Sequence, residues 1–292
     1  MFKSALLALD LSPAEAPLLG CMSALKAWGV ERIVIVHVIR VGYAQGPQWQ
    51  QDEQAAAHIE TAAAPLRAAG LTVDVQVRAG GVPADEILSA AREAKADLLV
   101  VGSRSHDLGH RLFLGSVARD LIHKARLPVL LQWVEPSAEG TAARCQAVCP
   151  ETLRSVLLTT DHSRQAQAAE RTAVALAGKA QRLDALTVLT PKAVDATPAL
   201  PLMTRAALQT RLDELADPAR RGQAMVEVDA APPAEVIARC AARLDASLIV
   251  MGRHGQGKVG SALVHRLIGS TASALCATAG RPVLVVPMDH SL

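Results

Sequence analysis

Aromatic side chains are nearly absent from this chain. Three tryptophans, one tyrosine and two phenylalanines make up 2% of its 292 residues. A core with so few rings must be aliphatic and alanine-rich, and half of the chain is hydrophobic. Charge of one sign is lacking as well. Thirty basic and 28 acidic residues leave a net charge of +2. That balance carries no electrostatic footprint for nucleic acid or for an anionic membrane. Cysteine is sparse, and five in a chain of this length do not read as a disulfide framework. No run approaches the ~20 apolar residues of a membrane span. The apolar start of MFKSALLALD stops at Asp10, too early for the core of a signal peptide. These absences lead to the expectation of a cytoplasmic protein with neither a nucleic-acid nor a membrane partner.

What is present is an internal repeat. SALLALDLS (4–12) resembles SVLLTTDHS (155–163), which sets Asp10 against Asp161, 151 residues apart. VPADEIL (82–88) resembles PPAEVIA (232–238), and ADLLVVGSR (96–104) resembles ASLIVMGRH (246–254), both at an offset of 150. The offset then jumps to 154, where Gly115-Ser116 meets Gly269-Ser270 and LPVLLQ (127–132) meets RPVLVV (281–286). Five anchors at nearly constant spacing, with one four-residue insertion, make this two copies of one domain. The expected boundaries are 1–135 and 154–292. The linker, 136–153, is rich in Pro, Gly and small polar residues.

Each copy alternates strand and helix signals. In the first, ALLAL (5–9), the β-branched RIVIVHVI (32–39), LTVDVQVR (71–78), DLLVVG (97–102) and PVLLQW (128–133) predict strands. Helices are predicted over 13–28, 50–69, 83–95 and 117–125, with Ser12 as N-cap of the first and Gly70 as the stop of the second. The implied fold is α/β, with two repeated, doubly wound, five-stranded parallel sheets flanked by helices. Ligands of such sheets bind beyond the carboxyl ends of the strands. Asp10, Gly102, Asp161 and Gly252 all fall there.

The strand ending in LALDLS, the strand ending in HVI, the VPADEIL helix and the VVG…LGS segment resemble the universal stress protein family. Both copies carry the pattern, so the chain is similar to its tandem type. The resemblance implies an adenine nucleotide alpha-hydrolase-like fold and ATP or AMP as ligand, with Mg2+ as its companion. ATP-binding members carry Gly-x2-Gly-x9-Gly-Ser/Thr. Glycine lets the backbone approach a phosphate, and the N–H groups of a helix N-terminus then face the anion.

By that resemblance the candidate nucleotide residues of the first copy are Ala8, Asp10, Val38, Gly102, Ser105, Gly115 and Ser116. Those of the second are Thr159, Asp161, Gly252, Gly255, Gly269 and Ser270. The first copy keeps the spacing but has Ser105 at the second glycine. Ser116 has two readings, as a phosphate ligand or as a cap on its own helix. Asp10 likewise reads as a ribose or base acceptor, or as a turn carboxylate. The backbone of Val38 is expected at the adenine edge. The second copy has Gly252 and Gly255, but 13 residues rather than nine separate Gly255 from Gly269. Lys258 in that longer loop reads as a phosphate ligand or a solvated lysine. Pro191 is expected at the position of Val38, where it offers no N–H, unless the register shifts by one residue. The first copy is therefore expected to be the better site.

Other chemistry is weaker. His106, His110, His123, His254 and His265 have no metal-site spacing, and Cys145 and Cys149 fall in the linker. No Ser-His-Asp set, Walker lysine motif or carboxylate pair is visible, so no dedicated catalysis is indicated; the resemblance permits slow ATP hydrolysis without indicating it. Three classes stay open: a nucleotide-dependent stress-response protein, a nucleotide-free scaffold, and a phosphohydrolase or ligase. The last strands, 128–133 and 282–287, are expected to pair as edges, within the chain or in a homodimer.

Overall fold

The structure, a computed structural model, describes residues 1–39, 49–103, 114–136, 145–148, 150–215, 221–255 and 268–290. The chain divides into two compact units. The first holds Met1–Leu121 and Leu127–Pro150, and the second Ile122–Arg126 and Glu151–Leu292.

In the first unit, β1 (Ser4–Leu9), β2 (Arg32–Ile39), β3 (Thr72–Ala79), β4 (Leu98–Gly102) and β5 (Val129–Gln132) form a parallel sheet. Their order is β5-β4-β1-β2-β3. Ala5–Leu9 and all of β4 are buried, as expected of central strands in a covered parallel sheet. The connections include α1 (Glu15–Met22), α2 (Trp49–Ala68), α3 (Pro83–Glu93) and α4 (Ser116–Lys124).

The helix expected over 13–28 breaks into α1 and a 3-10 turn, Ser23–Trp28, which ends at Gly29 with φ 99°. Ser12 is not the N-cap of α1. Its Oγ accepts the Ala14 N–H at 3.3 Å, making a separate turn before the helix starts at Glu15. Trp28 is fully buried and its ring meets Phe2 at 5.7 Å between centroids.

Part of the expected linker is ordered. β6 (Val134–Pro136) and β7 (Cys145–Ala147) form an antiparallel pair, and the Val148 N–H bonds the Trp133 carbonyl at 2.9 Å.

The second unit repeats the scheme. β8 (Val156–Thr159), β9 (Leu183–Leu189), β10 (Arg221–Val228), β11 (Leu248–Gly252) and β12 (Val283–Val286) are parallel, in the order β12-β11-β8-β9-β10. With them come α5 (Gln167–Ala177), α6 (Pro191–Ala196), α7 (Leu200–Leu215), α8 (Pro233–Arg243) and α9 (Ser270–Thr278). No described helix is long and apolar enough to cross a membrane.

One buried carboxylate pins the β9–β10 edge. Asp184 is fully buried, accepts two bonds from Arg182 at 2.8 Å each, and accepts the Gln223 N–H at 2.7 Å. A side chain at Gly222 would overlap that carboxylate, and the register of β10 shifts between Arg221 and Ala224 to admit it. Arg182 is partly exposed and can turn to water when its partner is lost. Asp184→Ala should therefore cost about 1–3 kcal/mol, the range for an orphaned buried donor plus lost packing. Denaturant titration of the two proteins checks this.

Three described cysteines, Cys21, Cys240 and Cys276, are free and buried. Burial pushes the Cys21 and Cys276 thiols up to about 12. Their thiolate fraction at pH 8 is negligible, so iodoacetamide should label them only after unfolding. Mass spectrometry of native and denatured samples reads the difference.

Candidate functional site

Parallel strands bring their carboxyl ends to one edge of the sheet. In the first unit β1 sits between β2 and β4, so the crossovers on its two sides diverge and a crevice opens at its end. The structure has a cavity of about 390 Å3 there. Ala8, Leu9 and Asp10 reach it from β1, His37, Val38 and Ile39 from β2, and Val101 and Gly102 from β4. Leu18 of α1, Pro83 and Ile87 of α3, and the segment Gly115, Ser116, Val117 and Ala118 complete the wall. Six of the seven residues singled out in the first copy thus line one cavity. The seventh, Ser105, lies outside the described residues, as do His106, His110, Lys258, His265 and Cys149.

The turn after β1 explains how Asp10 is presented. Its Oδ1 accepts the Ser12 N–H at 3.1 Å, and Leu11 takes a left-handed φ of 53°. One carboxylate oxygen therefore holds the turn while the residue still lines the cavity.

The helix start differs from the capping reading of Ser116. The Gly115 carbonyl accepts the Arg119 N–H at 2.9 Å, so Gly115 holds the cap position and Ser116 is the first helical residue. The first N–H groups of a helix have no carbonyl above them within the helix. Here that first turn faces the cavity. A Cβ built on Gly115 would meet nothing within 4 Å.

The second unit places its counterparts differently. Asp161 makes the same turn, with Oδ1 accepting the Ser163 N–H at 3.0 Å and His162 at φ 58°. The glycines, however, touch protein. A Cβ on Gly252 would lie 3.1 Å from the His254 carbonyl oxygen and 3.4 Å from the Ala166 Cα. One on Gly269 would lie 3.2 Å from the Arg253 carbonyl oxygen, and one on Gly255 would overlap the Asp161 carboxylate. Gly269 is the N-cap of α9, with Ser270 first in the helix. Thr159 is buried at the end of β8, its hydroxyl 3.5 Å from the Val250 carbonyl.

The expected place of Pro191 is corrected by the sheet register. Ala8 pairs with Val36 and Thr159 with Leu186, so two residues further on Asp10 stands opposite Val38 and Asp161 opposite Val188. The counterpart of Val38 is Val188, which has an N–H. Pro191 lies beyond the strand as the first residue of α6, capped by Thr190. The alignment of the copies is three residues out at this point, since Val38 and Pro191 are 153 apart and the register gives 150.

Sequence reasoning missed the apolar lining, Leu18, Pro83 and Ile87, and gave His37 no role. His37 Nδ1 lies 2.9 Å from the Leu9 carbonyl. The HVI motif marked the position but not the bond. Among the described residues no group of three His, Cys, Asp or Glu can hold a metal ion.

Comparison with known proteins gives a consistent result. The universal stress protein family matches residues 1–131 and again 152–287. A universal stress protein of Methanocaldococcus jannaschii is 47% identical over 51 residues, 18% of this chain and 30% of that protein. One from Synechocystis is 32% identical over 96 residues, 32% of this chain and 31% of that one. These alignments span about a third of the relatives' length. Among solved structures, a universal stress protein from Archaeoglobus fulgidus superposes with a TM-score of 0.72 at 23% identity, covering 97% of this chain and 96% of that one. A protein of unknown function from Pseudomonas aeruginosa gives 0.64 at 17% identity, covering 99% and 94%. These two show a shared fold. With the family matching both halves, the chain belongs to the universal stress protein family, in its two-domain form.

Proposed function

We propose that this protein binds an adenine nucleotide, ATP or AMP, in the cavity of its first unit and acts by nucleotide-dependent interaction rather than dedicated catalysis. The observation that carries the reading is the open cavity at the β1–β4 crevice, walled by Ala8, Asp10, Val38, Gly102, Gly115 and Ser116. Its chemistry fits the group. Leu9, Leu18, Ile39, Ile87 and Val101 offer an apolar slot for a flat base, and Asp10 offers an acceptor for ribose hydroxyls. The first turn of α4 offers N–H groups and a dipole for a phosphate, with Ser116 beside it. Mg2+ would arrive on the phosphates of ATP. A reducing cytoplasmic setting fits the three free buried thiols.

For the second unit a different reading is favoured. A Cβ on Gly269 would lie 3.2 Å from the Arg253 carbonyl oxygen, whereas one on its counterpart Gly115 would meet nothing within 4 Å. That packing supports a scaffold role for the second copy, with the first copy binding the ligand.

Chromatography of the supernatant after heat denaturation should find adenine nucleotide at about one per chain or less. Calorimetry should find one ATP or AMP site. Losing the Asp10 acceptor removes a hydrogen bond worth about 1–3 kcal/mol, so Asp10→Ala should weaken binding by roughly ten-fold or more. Asp161→Ala should leave binding unchanged. No released nucleotide, together with no thermal shift on adding ATP or AMP, would defeat the proposal.

The contrast between the copies has its own test. Gly115→Ala should cost less than ~1 kcal/mol, the loss of a glycine cap alone, since its Cβ enters open space. Gly255→Ala forces the Asp161 carboxylate off its turn and should cost about 1–2 kcal/mol. Equal effects in a denaturation assay would remove the distinction.

A further inference from the structure

The bond from His37 to the Leu9 carbonyl has a counterpart in the second unit, made by a different side chain. A carbonyl oxygen only accepts, so His37 Nδ1 carries the proton and donates across 2.9 Å. Leu9 and His37 are the last paired residues of β1 and β2. In the second unit the Thr187 hydroxyl donates to the Thr160 carbonyl at 2.8 Å. Extending the β8–β9 register by one residue pairs Thr160 with Thr187, so the two bonds occupy one place in the repeat. The turn that follows is also the same: a left-handed residue, Leu11 or His162, and an aspartate holding the N–H two residues on, Ser12 or Ser163. A bond that recurs from an imidazole and from a hydroxyl points to the bond itself as the requirement. Thr187 Oγ1 gives its one proton to Thr160, so His162 Nε2, 3.3 Å away, must donate to it.

The consequence differs between the units. In the second, the turn holds Asp161 against Gly255. In the first, it carries Asp10 into the cavity wall, which Leu9 and His37 share. We propose that His37 is a positioning residue of the first unit's site: by holding the Leu9 carbonyl it fixes the turn that presents Asp10 to the ligand. This rests on the nucleotide reading for its ligand. Its effect on the turn does not depend on that reading.

Three full-length variants test it: His37→Ala, which removes the bond, His37→Thr, which supplies the donor used in the second unit, and Asp10→Asn. Amide hydrogen exchange at Ser12, read by NMR without nucleotide, should speed up at least several-fold in His37→Ala and stay near the parent rate in His37→Thr. AMP affinity should fall roughly ten-fold in His37→Ala, the effect of one lost hydrogen bond of about 1.4 kcal/mol, and be rescued in His37→Thr. The losses in His37→Ala and Asp10→Asn should be clearly less than additive in the double variant, since one acts through the other. Unchanged Ser12 exchange in His37→Ala overturns the inference whether or not nucleotide binds. So does additivity with Asp10→Asn, or a His37→Thr variant that loses AMP as His37→Ala does, which would make the ring a direct ligand. A parent protein that binds no AMP refutes the nucleotide reading alone, and Ser12 exchange then decides the role of His37 in the turn.

Discussion

The strand ends of a parallel sheet leave backbone carbonyls beyond the last ladder bond, and buried carbonyls must find donors. In each unit this happens at the end of the central strand, where neighbouring crossovers diverge. Leu9 and Thr160 stand at that point. The solution in each is a side-chain donor from the adjacent strand followed by an aspartate-held turn. Everything at the site depends on that turn. It sets where Asp10 and Asp161 stand at the ends of their strands.

The two copies show how a scaffold can hold while its polar pairs change. Arg32 and Arg182 occupy matching positions, 150 residues apart. Arg32 donates to Asp74 on β3, whereas Arg182, just before β9, donates to Asp184 on β9. Leu9 and Leu19 are both buried in the first unit. Their counterparts 151 residues on are Thr160 and Glu170, also buried and joined by a 2.6 Å hydrogen bond. An apolar pair has a polar counterpart in which both members change, as the cost of an unpartnered buried carboxylate requires.

The fold was legible because its information is local. β-branched runs such as RIVIVHVI and the spacing of PADEILSAARE identify β2 and α3 without reference to anything distant. The glycine positions of the first copy were legible for the same reason. What failed was information carried by pairing. LTVLTPK does carry its own stop, since Thr190 followed by Pro191 is a cap and a first helical residue, but its register against the first copy shows only in the pairing with β8. Nothing within the linker says that Cys145–Ala147 will pair with Val134–Pro136, because SAEGTAAR between them carries no tight-turn signal. The cavity's apolar wall was equally hidden, as Leu18 and Ile87 read as ordinary core positions of their helices.

The serine of the first copy takes on a different meaning beside the second. By the family pattern Ser105 is a defect and Gly255 an intact glycine. In the second unit the absence of a side chain at Gly255 is what admits the Asp161 carboxylate, which any Cβ there would overlap. The glycine is thus used for packing protein against protein. A side chain at that position would have to push the Asp161 Oδ2 aside. In the first copy Asp10 is held by the same kind of turn, and the residue at the matching place in sequence is Ser105. Matching the glycine pattern and facing open space are therefore separate properties: Gly255 fits the pattern and packs against Asp161, whereas a Cβ on Gly115 would meet nothing within 4 Å.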